Sequence, residues 1–474
     1  MTVWTMKKLG QYLILAAILI GLPLACAWLA GDEVALRGAA TFPPRTEDWG
    51  GDDGALWQRE CPFTWWALVP MAILVAVALF PFVRRSIRAA RSGSAVSRAA
   101  THGFPAWGWV GLVLFLGWLP VIWLAPAWAR RLQVHSFAIM GFGHAMLMDA
   151  LAYRRLGTSI VRKAVLPCLL LLPVSALYWW FFEFLNRFSR NWYFVNLENF
   201  TAFEYVVCFS LGCATILPSA VTTARWLGTF DCFSDRVCEG FWRWDVGSRL
   251  SRTVLGAVSI VGLVGVVFVP SLAFPFLWLS PICVFVLVRG AFGERTELAA
   301  LRTGNWSLVW RWAVAMLICG IVWETWGFWL EVKWVYSVPY LHRFCYAEMP
   351  VIGFAGYLPF GVEALLVCGW LGRLTGVDDR EGGCRRMVSA PGDGRTDRFE
   401  ERVRQIVVDG LGVSPDEVTR DASFRDLGAE AFDIIELIMA FEEEMGFAIP
   451  EEESEKLTTF GKAVDYLRKK SRRG

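Results

Sequence analysis

Ten apolar stretches, each lasting roughly 18 to 24 residues, begin near Leu9, Phe63, Ala106, Leu132, Ala164, Phe203, Thr253, Leu272, Trp312 and Pro350; as helices they can cross about 30 Å of hydrocarbon. Past residue 396 the pattern changes. Apolar residues there return at intervals of three and four: Phe399, Val403, Ile406 and Val407, then Ile434, Leu437, Ile438 and Phe441, then Phe460, Ala463, Val464 and Leu467. That spacing predicts three amphipathic helices, with a shorter one near Glu451 to Lys456, each burying one stripe. The expectation is an all-α protein, in which a polytopic membrane helix bundle of about ten spans precedes a small four-helix bundle in water. Between them, Val377 to Gly394 mixes Gly, Pro, Arg and Asp and reads as a flexible tether.

Charge orients the spans. With the N-terminus inside, the interior loops 84–104, 151–163, 224–252 and 289–311 carry five, four, five and four Lys or Arg, whereas the exterior segments 31–62, 129–133, 183–202 and 331–349 carry three, two, two and two. The positive-inside rule then places both termini in the cytoplasm, as expected of a bacterial inner-membrane protein. Lys7 and Lys8 precede the apolar run Leu9 to Ala30, which resembles a signal peptide; its length and the spans that follow favour an uncleaved first helix.

The middle of the chain matches itself. Leu151-Ala152-Tyr153-Arg154-Arg155-Leu156-Gly157 parallels Leu298-Ala299-Ala300-Leu301-Arg302-Thr303-Gly304. Further on, Trp180-Phe181-Phe182-Glu183 with Asn191-Trp192-Tyr193 parallels Ile321-Val322-Trp323-Glu324 with Lys333-Trp334-Val335-Tyr336. Two such pairs in the same order predict a duplication: two four-helix units of the same orientation, related by an axis along the membrane normal. The expected domains are an N-terminal pair with its exterior loop (1–104), two membrane repeats (105–252 and 253–376), a linker (377–396) and a C-terminal domain (397–474).

Composition agrees with a membrane protein, since 55% of residues are hydrophobic and 15% aromatic, too apolar for an ordinary soluble enzyme. The overall charge of +2 conceals an acidic C-terminus, where 19 Asp/Glu face 13 Lys/Arg from Arg395 onward. Twelve cysteines without a CxxC pair and four histidines show no zinc or haem spacing, so no metal is expected. Nothing points to a nucleic-acid partner. Cys61 and Cys345 fall in exterior loops, where a disulfide is conceivable and two unpaired thiols the plainer reading.

An acidic side chain inside a span costs about 2.5 to 3.5 kcal/mol on insertion scales, so each needs a partner, water or a neutral state. Glu363 lies near the middle of the last span, Glu183 and Glu324 near the exterior ends of theirs, and Glu204 at the start of the following helix. His144 and Asp149 belong to the fourth span, where a ring could exchange a proton with a carboxylate. Two readings of the glutamates compete. They are structural, bonded to Trp and Tyr donors, or they converge with Trp192, Tyr193, Trp334 and Tyr336 over a cavity as general acids or proton couplers. The 26 tryptophans mostly suit the membrane interface, although Trp323-Glu324-Thr325-Trp326 and Phe328-Trp329 are denser than anchoring needs. With these Trp-Glu and Trp-x-Tyr signatures, the block resembles an uncharacterised family of bacterial polytopic membrane proteins.

The C-terminal segment carries a second resemblance, through Glu400-Glu401-Arg402-Val403, Leu411-Gly412-Val413, Asp421-Ala422-Ser423-Phe424, Asp426-Leu427-Gly428-Ala429, Asp433, Glu436-Leu437, Glu442-Glu443-Glu444, Ile449-Pro450 and Thr458-Thr459. It resembles acyl carrier protein. The resemblance implies a phosphopantetheine-bearing serine at the start of the second helix, where this chain reads Glu430-Ala431-Phe432. An alanine methyl offers no oxygen to attack coenzyme A. No cofactor is therefore expected on this domain. The acidic surface survives: from Asp426 to Glu455 there are 11 Asp/Glu and no Lys or Arg. By the same resemblance Glu430, Asp433, Glu436, Glu442, Glu443 and Glu444 are candidate contacts for the basic patches of acyl-processing enzymes.

The leading expectation is a membrane platform that docks or regulates enzymes of fatty-acid or related lipid metabolism without holding an intermediate. The alternatives are a membrane enzyme acting on a lipid or isoprenoid through Glu183, Glu324 or Glu363, and a transporter.

Overall fold

The structure, a computed structural model, describes residues 3–32, 36, 42–43, 56–91, 102–124, 126–160, 165–198, 200–374, 396–411, 413, 417–429, 431–445, 447–454 and 456–471. It separates into two compact units, Met1–Ala390 and Pro391–Gly474. Each is described by itself. Most of the expected linker and Glu430 lie outside the described residues, as do the side chains of Ala431 and Glu443.

The helices of the first unit are α1 (Gly10–Ala30), α2 (Trp65–Ala89), α3 (Ala106–Leu124), α4 (Ser136–Leu156), α5 (Val165–Ser189), α6 (Ala202–Leu227), α7 (Arg249–Phe268), α8 (Ser280–Ala291), α9 (Ser307–Gly327) and α10 (Val351–Gly372). Eight of them are long and apolar enough to cross a membrane, and Pro270–Leu277 with α8, bent by 51°, makes up to nine. Against the expected ten, the described residues give eight or nine by length and composition. The difference lies at α4 and α8. Along α4, His144 and Asp149 are buried and Arg154 and Arg155 close the last turn. It packs against α3 and α6, and a helix enclosed by protein need not be apolar all round. Before α8, Pro270 and Pro275 each remove a backbone donor, which breaks the run into one helical turn, a short 3-10 segment and α8, whose first turn takes Pro281.

α2 shows the opposite pattern, presenting Ile73, Leu74, Val77 and Phe80 outward. So large an exposed apolar face needs lipid around it. Inside the unit, one buried hydroxyl repairs a helix break. α6 is interrupted at Ala214 and Thr215, where Ser175 Oγ of α5 donates to Cys213 O at 2.6 Å and accepts from Leu217 N at 3.0 Å. Backbone groups left unpaired there would each cost several kcal/mol in hydrocarbon, of the order of 2–7.

Two short strands link the loops after α5 and α9. β1 (Trp192–Phe194) pairs antiparallel with β2 (Trp334–Tyr336), in the register Trp192↔Tyr336, Tyr193↔Val335 and Phe194↔Trp334.

The second unit follows its sequence pattern closely, with α11 (Thr396–Leu411), α12 (Ala431–Met445), α13 (Glu451–Ser454) and α14 (Phe460–Ser471). All twelve stripe residues expected to pack together lie in one apolar cluster with Val418, Phe424 and Leu457. The loop before α12 is clipped to the start of α14: Phe424 N donates to Thr458 O and Phe460 N to Ala422 O. Gly428 then turns the chain at φ +89°, a conformation that glycine adopts without a Cβ clash. Those contacts fix where α12 begins.

Candidate functional site

Strand geometry builds the roof of a cavity in the membrane unit. Side chains alternate across a strand, so Trp192 and Phe194 share one face of β1, and Trp334 and Tyr336 share one face of β2. The register sets Trp192 opposite Tyr336 and Phe194 opposite Trp334, and all four line a cavity of about 130 Å³. Tyr193, expected over this cavity, is buried but is not part of the lining. The remaining walls come from α5 (Trp179), α6 (Tyr205, Cys208, Phe209, Gly212, Cys213, Ile216), the start of α4 (Phe137), Trp278, Trp323 of α9, and Tyr357 of α10. Trp179 and Trp278 lie 5.9 and 6.0 Å from Trp192, centroid to centroid, and Phe209 is edge-on to Phe194 at 4.9 Å. No Asp, Glu, Lys, Arg or His is among the described lining residues.

The two matched glutamates stand behind that lining. Trp192 Nε1 donates to Glu183 Oε1 at 2.7 Å. Glu324 accepts from Trp334 Nε1 at 3.2 Å, Tyr336 OH at 2.6 Å and Tyr357 OH at 2.9 Å. Both carboxylates are buried, and each holds aromatic rings that face the cavity. Two glycines of α9 make room: a Cβ on Gly327 would meet the Trp334 ring at 2.3 Å, and one on Gly320 the Tyr357 ring at 2.4 Å.

The other candidates stand apart from the cavity. Glu363 is buried, its Oε2 has no hydrogen-bond partner among the described residues, and the nearby Tyr178 hydroxyl donates to Phe360 O instead. Asp149 is engaged by Ser159 Oγ at 2.6 Å, Ile160 N at 3.1 Å and Arg225 at 3.5 Å. His144 stacks on Phe115 and lies edge-on to Trp326. Five residues of helix separate ring and carboxylate by about 140° around the axis, so His144 and Asp149 do not share a face for proton exchange. Glu204 closes a capping box with Thr201 at the start of α6, a local role that Thr-x-x-Glu spells out. Cys61, buried, and Cys345, exposed, are both free thiols.

On the second unit, α12 starts at Ala431 and carries Asp433 in its first turn. Glu436 is exposed, and beside it Ile435 and Met439, one turn apart, are 57% and 61% exposed. Two expected docking residues have duties inside the domain: Glu442 Oε1 accepts from Ile449 N, and Glu444 pairs with Arg402 at 3.4 Å. Ile435 and Met439 were missed in the sequence because they extend an apolar stripe already assigned to the core. Tyr357 was missed because its glutamate lies 33 residues away.

The architecture is thus a membrane helical unit joined to a small bundle of carrier type. Residues 401–467 match the protein family described as phosphopantetheine attachment site. The second helix of that bundle, which the resemblance to acyl carrier protein expects to open on a modified serine, opens on Ala431.

Proposed function

We propose that this protein is a membrane-held docking platform whose carrier-like domain binds acyl-processing enzymes without carrying a covalent intermediate. One observation carries the reading: α12 keeps an exposed Ile435–Glu436–Met439 surface and has no basic residue, while its first residue is alanine. An apolar pair beside carboxylates suits a partner surface with an apolar hollow flanked by Arg or Lys, and like charge on α12 repels other acidic proteins. In this reading the protein sits in a bacterial inner membrane with both termini cytoplasmic. Its membrane unit is a duplicated four-helix module of the uncharacterised family it resembles, a reading supported by the antiparallel pairing of the matched Trp-x-Tyr and Trp-Tyr-Phe strands.

The test is affinity purification of the full-length protein. Acyl-processing enzymes should co-purify, and Glu436→Lys with Ile435→Asp should release them while the domain stays folded. An unchanged bound set with both substitutions in place defeats the proposal.

A second reading, a lipid- or isoprenoid-directed membrane enzyme, draws on the aromatic cavity. The saturated hydrogen bonding of Glu324 favours holding rings over moving protons, so Glu324→Gln should spare any product that a lipid profile reveals, and Glu183→Gln and Glu363→Gln test the other two carboxylates. Loss of product would favour the enzyme.

A further inference from the structure

We infer that the aromatic cavity of the membrane unit is a binding site for one hydrocarbon chain bearing an uncharged oxygen, entering from the bilayer past α6. The inference is independent of the docking role.

The wall chemistry selects the ligand class. An apolar cavity of this kind excludes water and takes hydrocarbon, and the absence of a charged residue among the described lining residues leaves none of them to neutralise a phosphate or carboxylate. A headgroup therefore stays outside. Two lining residues, Tyr205 and Trp323, each keep a donor, OH and Nε1, buried without a hydrogen-bond partner among the described residues. Buried donors normally find acceptors, and a neutral ester, ether or hydroxyl oxygen on the chain would supply one. The route is short. α6 turns Phe203, Val206, Val207 and Leu211 outward, where a membrane protein meets lipid, while its opposite face lines the cavity.

The glutamates acquire a purpose in this scheme. By bonding Trp192, Trp334, Tyr336 and Tyr357 from behind, they fix the rings before the ligand arrives, which lowers the ordering cost of binding.

The full-length protein in lipid nanodiscs is illuminated with either of two photoreactive probes, a diazirine-bearing acyl phospholipid or a diazirine-bearing prenol, and labelled peptides are mapped by mass spectrometry. Label should fall on the cavity-lining part of α6 and on residues 330–336. The probe that labels them identifies the chain as acyl or prenyl. Cys208→Trp, which fills the cavity, should cut that label about tenfold, whereas Val207→Trp on the outward face should not; Tyr205→Phe should weaken it about fivefold by loss of one hydrogen bond. Should the Cys208→Trp protein not fold, competition on the unaltered protein decides: a defined site saturates with excess unlabelled probe, and bulk lipid contact does not. Label confined to Phe203, Val206 and Leu211, or label that neither saturates nor responds to Cys208→Trp, overturns the inference.

Discussion

Glu324 gives the sharpest mutational test, because three donors converge on it, from the buried Tyr336 and the half-buried Trp334 and Tyr357. Replacement by leucine removes the acceptor from Trp334 Nε1, Tyr336 OH and Tyr357 OH together. Each stranded donor costs about 1–3 kcal/mol, so Glu324→Leu should destabilise the protein by at least about 3 kcal/mol even after relaxation. Tyr336→Phe deletes one bond and keeps the other two, and should cost about 1–2 kcal/mol. Glu183 holds Trp192 at 2.7 Å; Glu183→Leu strands that one donor and should cost less than Glu324→Leu, about 1–3 kcal/mol. The assay is denaturant unfolding of full-length protein in one detergent, including the cycle Glu324→Gln, Tyr336→Phe and the double variant. A coupling energy of about 1 kcal/mol or more is expected for residues in one network. If Glu324→Leu costs no more than Tyr336→Phe and the cycle shows no coupling, the carboxylate does not hold the cavity wall.

Arg289 is fully buried between Glu294 at 3.2 Å and Glu297 at 3.0 Å, so Arg289→Met, which leaves two carboxylates without their cation, should cost about 3–5 kcal/mol in the same unfolding assay. Burial already pushes the Glu297 carboxyl above its usual range, against the pull of Arg289. A raised folded pKa means that the native state holds the proton longer, so this group's contribution to stability falls as pH rises from the ordinary carboxylate range through the raised value; removing Arg289 should steepen that fall in the unfolding midpoint. Gly320→Val should displace the Tyr357 ring, read as a lower unfolding midpoint, while a valine at Gly290, with open space around its Cβ, should change little. In the carrier-like domain, Ala431→Ser restores the missing hydroxyl, and incubation with a carrier-protein phosphopantetheinyl transferase and coenzyme A should then add the arm, seen as a mass increase absent from the unaltered protein.

The C-terminal bundle was legible because its stripes are local: each helix announces its buried face at intervals of three and four, and the core uses those residues. What escaped were long-range uses of surface residues. Glu442 and Glu444 read as free charges until Ile449 and Arg402 came alongside. In the membrane unit hydropathy located α1 to α10, but it could not tell a lipid-facing helix from α4, whose Asp149 is engaged by Ser159 and Arg225. The Trp-Glu match did point to the cavity. Its strands did not show, since three residues are too few for a period of two, and the pairing of β1 with β2 joins segments 142 residues apart.

The central claim is that the carrier fold here works without a swinging arm, and intact-mass measurement of the protein purified from its own cells tests it most directly. The expected result is the mass of the unmodified C-terminal domain after proteolytic release. A phosphopantetheine adduct on any residue of 397–474 would contradict it.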